Sequence, residues 1–253
     1  MKIEKKWRLI PPIEASGKLQ MSIDRWLFEQ HEQGLTPPIL RFYNWSKPTI
    51  SLGYLQKKYP SHWHNLIWEK EPLDLVTRPT GGRAVLHQGD LTYMIVMPLD
   101  HRKTLAIYED ICTFLIQGWK TLDIVLEYGT GKRGYINNSS CFNTATVADL
   151  ITADGSKLIG SAQRRGKRSI LQHGSMVLST DKKLFETVFN QVAPWNLTLK
   201  ERLSKNYSQE DIIEVLTAAA TEHFKIELIT EPLSEREWEK ISKINQKKFK
   251  NNV

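Results

Sequence analysis

An α+β fold, with mostly antiparallel sheets wrapped by helices, is predicted by two features of the sequence. β-rich runs separated by turn residues recur between Ile39 and Leu178, and stretches with helical apolar spacing precede, interrupt and follow them. No internal repeat, low-complexity tract or long linker divides the 253 residues. One domain spanning residues 1–253 is therefore expected, with a helical C-terminal third from about residue 181 to 253.

The first helix is predicted from Lys18 to Glu32, where Leu19, Ile23, Trp26 and Leu27 recur at helical spacing and Gly34 supplies a stop. Strands are expected at Ile39–Trp45 and Thr49–Tyr54, joined by the turn Ser46-Lys47-Pro48, and then at Leu73–Arg78, Ala84–His87 and Leu91–Met97. From Thr104 to Leu122, residues Leu105, Tyr108, Ile111, Cys112, Leu115 and Trp119 share one helical face, so Cys112 is expected in the core. A second β section follows. Val147–Thr152 and Lys157–Gln163 flank the turn Ala153-Asp154-Gly155, and a basic turn from Arg164 to Arg168 leads into Ser169–Leu178. Ser208 with Asp211, and Ser234 with Glu237, have the spacing of helix caps and predict two C-terminal helices. The basic tail Lys247–Val253 is expected to fray.

Composition narrows the function classes. Hydrophobic residues at 40% and charged residues at 25% are globular proportions, and no run of about 18 apolar residues is long enough to span a bilayer. The N-terminus is basic but has only a short apolar stretch before Pro11 and Pro12, which is not the h-region of a secretory signal. A cytoplasmic location is expected. Two cysteines cannot build a disulfide framework, and no Cys/His cluster has zinc-ligand spacing, so neither metal nor cofactor is expected. The net charge of +7 favours acidic partners, either nucleic acid or an acidic protein.

Three segments carry candidate chemistry. In Arg78-Pro79-Thr80-Gly81-Gly82-Arg83-Ala84-Val85-Leu86-His87, two glycines between β-rich runs allow a ligand to approach the backbone closely, although a Gly-Gly turn needs no ligand. It is no Walker A loop, since no Lys-Ser/Thr pair follows. Cys141 sits in the polar, aperiodic stretch Asn137–Asn143, where an accessible loop thiol is expected. The third segment is Lys157-Leu158-Ile159-Gly160-Ser161-Ala162-Gln163-Arg164, followed by Leu171-Gln172-His173-Gly174-Ser175. A lysine beside a hairpin turn is ordinarily solvated, and a strand-end histidine ordinarily satisfies a backbone carbonyl.

The first and third segments resemble the R-R-x-[ST]-G-G-x-A-V-x-H, K-x-x-G-S-A-Q-R and L-Q-H-G-S motifs of the biotin/lipoate protein ligase family, over roughly Lys18 to Leu178. Departures are Thr77 in place of the first arginine, Pro79 after Arg78, and Arg83 at a frequent third glycine. The resemblance implies that family's catalytic-domain fold. It is closest to the octanoyltransferases of Gram-positive type, which carry a Cys-Phe pair like Cys141-Phe142, whereas ATP-using ligases carry Asn-Asp. It implies that Cys141 is the nucleophile and that Lys157 stabilises the oxyanion. Arg78, Thr80, Gly81, Gly82, Ala84, Val85, His87, Gly160, Ser161, Ala162, Gln163, His173 and Gly174 are then expected to bind substrate. The implied donor is octanoyl-acyl-carrier protein. The implied acceptor is a lipoyl domain such as glycine cleavage H protein or a 2-oxoacid dehydrogenase E2, served by a monomer without nucleic acid or membrane. An ATP-dependent lipoate-protein ligase, a lipoyl-domain amidotransferase and a basic binding module are the alternatives.

Overall fold

The structure is a computed structural model that describes residues 5–129, 149–193 and 207–247. Its centre is an eight-stranded sheet built from β1 (Lys6–Ala15), β2 (Ile39–Trp45), β8 (Asp90–Pro98), β9 (Leu126–Tyr128), β10 (Leu150–Thr152), β11 (Lys157–Arg165), β12 (Ser169–Val177) and β13 (Glu227–Thr230). The spatial order is β13-β1-β2-β8-β12-β11-β10-β9. A smaller sheet joins β3 (Thr49–Leu52), β6 (Asp74–Thr77) and β7 (Val85–His87) in the order β6-β3-β7, and β4 (Ile67–Trp68) pairs with β5 (Glu71–Pro72). The helices are α1 (Gly17–Glu32), α2 (Thr104–Thr121), α3 (Lys182–Phe189), α4 (Gln209–Phe224) and α5 (Glu235–Lys247). From β2 to β9 the large sheet is antiparallel, as expected, but β13-β1-β2 and β3-β6 pair in parallel.

Side-chain alternation explains why the central strands read as nearly continuous apolar runs. In β8, Leu91, Tyr93, Ile95 and Met97 face α2 and α4, packing with Ile107, Phe114, Trp119 and Leu216. The alternate residues Met94 and Val96 join Ile23, Trp26 and Leu27 of α1 and Ile241 of α5. The sheet is thus buried on both faces. Cys112 is in the first of these clusters, fully buried, with its thiol pushed up to about 12 chiefly by burial.

Several expected boundaries shift. Arg164 and Arg165 continue β11, so the basic turn shrinks to Gly166, Lys167 and Arg168. That turn is anchored by Glu32, which accepts from the backbone N–H groups of Lys167 at 2.6 Å, Arg168 at 3.0 Å and Ser169 at 2.9 Å. Burial raises the Glu32 carboxyl, but these donors outweigh it and hold the group below the usual carboxylate range. The C-terminal third contains β13 as well as helices, and both expected caps form. Ser208 and Asp211 cap α4 reciprocally, and Ser234 exchanges hydrogen bonds with Glu237 at α5. Residues 147–148 of the expected Val147–Thr152 strand, the segment holding Cys141 and the last six residues of the tail lie outside the described residues.

Candidate active site

A cavity of about 280 Å³ opens over the central sheet, near the lower end of the roughly 300–1,000 Å³ typical of small-ligand sites. Its floor is fixed by strand register. Tyr43 pairs with Thr92, Thr92 with Ser175 and Ser175 with Gly160, a row across four strands whose members all line the cavity. Three inter-strand steps of about 4.8 Å make that row roughly 14 Å long. Met21 from α1, Trp45 and Val85 add apolar wall.

Lys157 stands at one end. Its side chain is only 2% exposed, and its Nζ lies 2.9 Å from Asp149 Oδ1, so the solvated reading of this lysine does not hold. Gly160 makes room for it: a Cβ there would meet Lys157 Cε at 2.8 Å and Nζ at 3.0 Å. Both side chains line the cavity, together with Tyr108, whose hydroxyl donates to the Ser161 carbonyl at 3.4 Å. Polar side chains continue beneath this end. Gln163 Nε2 donates to Gln172 Oε1, Gln172 Nε2 donates to Tyr93 Oη, and Tyr93 Oη lies 2.8 Å from Ser161 Oγ.

The glycine segment forms another part of the wall. Buried Arg78 donates from Nη1 to the Ser51 carbonyl and from Nη2 to the carbonyls of Gly81 and Arg83, each at 2.7 Å. One guanidinium therefore sets the course of the loop. Gly82 takes a φ of +90°, and its carbonyl lies so close to Gly53 that a Cβ on Gly53 would approach it to 1.9 Å. A side chain at either position would displace the wall.

Both histidines are buried and line the cavity. His87 Nδ1 is 2.8 Å from Asp90 Oδ2, its Nε2 is 2.8 Å from Ser51 Oγ, and its ring stacks on Trp45 at 3.9 Å. His173 Nδ1 is 2.9 Å from Asp24 Oδ2, and its Nε2 is 2.6 Å from Thr80 Oγ1. Burial holds the His173 imidazole below its ordinary value, outweighing the pull of Asp24. A neutral ring fits these contacts, with Nδ1–H donating to the carboxylate and Nε2 accepting from the threonine hydroxyl.

The family model for the lipoyl protein ligase A/B catalytic domain matches residues 16–222. The chain belongs to that family. Octanoyltransferase LipM of Carboxydothermus hydrogenoformans is 34% identical over 96% of this chain and 96% of its own length. Octanoyltransferase LipM of Halalkalibacterium halodurans is also 34% identical, over 81% of this chain and 77% of its own. Among solved structures, a putative lipoate protein ligase of T. acidophilum with bound lipoic acid superposes with a TM-score of 0.76, at 20% identity, over 96% of this chain and 95% of that one. Lipoate-protein ligase A bound with ATP gives 0.76, at 22% identity, over 98% and 97%. These two likenesses establish the fold, that of the lipoate protein ligase catalytic domain.

In this lipoyl protein ligase A/B domain, Arg78, Gly81, Gly82, Val85, His87, Lys157, Gly160, Ser161, Ala162, Gln163, His173 and Gly174 all line the one cavity. Thr80 stands behind the wall, bonded to His173, and Ala84 packs in the core under the small sheet. Cys141 lies outside the described residues. Sequence reasoning did not single out Asp149, Tyr108, Trp45, Ser51, Asp90 or Asp24. Asp24 had a legible signal: an acidic residue among Met21, Ile23, Trp26 and Leu27, on the buried side of an amphipathic helix.

Proposed function

We propose that the chain is an octanoyltransferase of lipoate biosynthesis that carries the acyl group on Cys141. The observation that carries the reading is the buried Lys157–Asp149 pair, seated on Gly160 at the wall of a cavity lined by both motif segments. The names of the 34%-identical relatives support octanoyl as the acyl group. The Cys141 thiolate attacks the carbonyl of octanoyl-acyl-carrier protein, and the carrier thiol leaves. A lysine amine of a lipoyl domain then attacks octanoyl-Cys141, forming the amide and returning the thiol. The Lys157 ammonium favours the oxyanion in each half, and Asp149 holds it in place. The solved structure of an archaeal lipoate protein ligase with its E2 lipoyl domain supports a lipoyl acceptor such as an E2 or glycine cleavage H protein.

Intact-mass analysis after mixing the protein with octanoyl-carrier protein, without ATP or Mg²⁺, tests this reading. One octanoyl adduct is expected, on Cys141, and Cys141→Ser should abolish both the adduct and transfer. Cys112→Ser should still transfer, because that thiol is buried and held protonated. Transfer that needs ATP and free octanoate would establish a ligase instead. Equal loss in two folded cysteine variants would remove Cys141 from its role.

A further inference from the structure

We propose that Ser51, His87 and Asp90 form a second nucleophilic centre, able to take an acyl group on the Ser51 hydroxyl and hydrolyse it; the inference rests on the acyl reading of the cavity. Ser51 Oγ is 2.8 Å from His87 Nε2, and His87 Nδ1 is 2.8 Å from Asp90 Oδ2. The proton positions follow from what each group can do. A carboxylate only accepts, so Nδ1 carries the hydrogen; the Arg78 guanidinium, 3.3 Å from Ser51 Oγ, only donates, so the serine hydrogen is free to point at Nε2. That is the order nucleophile, base, orienting carboxylate.

The array is held in place at the cavity wall, where Ser51 itself is fully buried and His87 nearly so. Trp45 stacks on the His87 ring with an interplanar angle of 18°, and Asp90 Oδ2 also accepts from Thr92 Oγ1 at 3.2 Å and Ser175 Oγ at 2.6 Å. Ser51 and His87 both line the cavity, and the Arg78 charge beside Oγ would favour an oxyanion formed there. The molecule contains its own control. Thr80, His173 and Asp24 repeat the same hydrogen-bond order, but Thr80 is not part of the cavity wall.

In the first half-reaction Oγ bonds to the acyl carbon, the serine proton passes to Nε2, and the bond to the donor thiol breaks as that thiol takes the proton. In the second, water adds through the same base, the carbon–Oγ bond breaks and Ser51 regains its hydrogen. The products are a free fatty acid and the thiol. An acyl group waiting in the cavity with no acceptor lysine would be released by this route.

A fluorophosphonate with an alkyl tail, followed by peptide mapping, tests the centre directly. The expected adduct is on Ser51 with loss of fluoride, none is expected on Thr80, and His87→Gln should slow labelling by roughly 10²-fold or more. In the Cys141→Ser background, hydrolysis of p-nitrophenyl octanoate should persist and fall by a similar factor in Cys141→Ser/Ser51→Ala. No Ser51 adduct on the unmutated protein, or equal hydrolysis in both backgrounds, overturns the proposal. The adduct map decides if the double variant misfolds. Acylation of Cys141 without labelling of Ser51 would sink this centre alone, and the converse would sink the transfer reading alone.

Discussion

Lys157 and Arg41 are both buried cations with an aspartate partner, yet they face different surroundings. Lys157 lies 2.9 Å from Asp149 and lines the cavity. Arg41 lies 3.3 Å from Asp24 with no exposure at all, stacked over Tyr43 at 4.1 Å and bonded to Gln20. Its Nε and Nη1 have no hydrogen-bond partner among the described residues. A buried ion pair therefore does not by itself mark chemistry. What a cation borders differs: Lys157 lines the cavity, where the proposed substrate carbonyl would lie, whereas Arg41 fixes the carboxylate that orients His173.

The comparison is tested most severely by removing each cation. Arg41→Met leaves Asp24 buried without its cation and should cost about 3–5 kcal/mol of stability. Urea denaturation reads it, and the rate per folded molecule should change little. An unaltered midpoint would mean that Asp24 needs no cation. Lys157→Ala should do the reverse. Its Asp149 partner borders the cavity, where water can replace the ammonium, so circular dichroism should be unchanged while acylation of Cys141 slows by roughly 10²- to 10³-fold. Lys157→Arg should also be slow, since a planar guanidinium does not reproduce the compact ammonium. Wild-type pre-steady-state rates in both Lys157 variants would make this lysine structural.

A milder perturbation keeps the ammonium and moves it. In Gly160→Ala the new methyl would meet Lys157 Cε and Nζ, which are the far end of a flexible side chain and can give way. Displacement without loss predicts a slowing of about 10-fold with little change in stability. A rate equal to that of Lys157→Ala would mean that the glycine does more than make room.

What the sequence revealed follows the same division. Residues of the family motifs were legible as a group, and thirteen of them, from Arg78 to Ser175, line one cavity. The partners that hold them, Asp149, Asp24 and Asp90, come from distant segments and carry no local pattern. Elements whose spacing is regular were legible too, α1 and α2 to within a residue at each end. β1 was not anticipated, since Pro11 and Pro12 lack N–H donors and give its sequence no strand pattern. The strand tolerates these donor-less residues because its register with β2 shifts between Ile10 and Ile13. α3 did carry a signal, with Asp181 capping it by accepting from the Leu184 N–H and Leu184, Phe185, Val188 and Phe189 on one face, but eight residues are too few for a clear period.

The smallest expected effect is on pH dependence, and it probes Arg41 through His173. Burial holds folded His173 below its ordinary value, so its ring is neutral between Asp24 and Thr80. The unfolded chain takes up that proton at about pH 6.5. As pH falls through this value the unfolded state binds more protons than the folded one, and stability declines until the lower folded pKa is reached. His31, buried with its Nδ1 2.6 Å from Ser169 Oγ, is lowered chiefly by burial and contributes with the same sign. The urea midpoint should therefore be lower at pH 5.5 than at pH 7.5, and His173→Gln should shrink that difference without abolishing it, since His31 remains. In Arg41→Met the Asp24 carboxylate has lost its cation, and a protonated His173 can replace it. The acid-side decline should then flatten relative to wild type, although the variant is less stable at every pH. A decline as steep as that of wild type would mean that Arg41 and His173 do not compete for Asp24, and that the arginine acts only by filling space behind the wall.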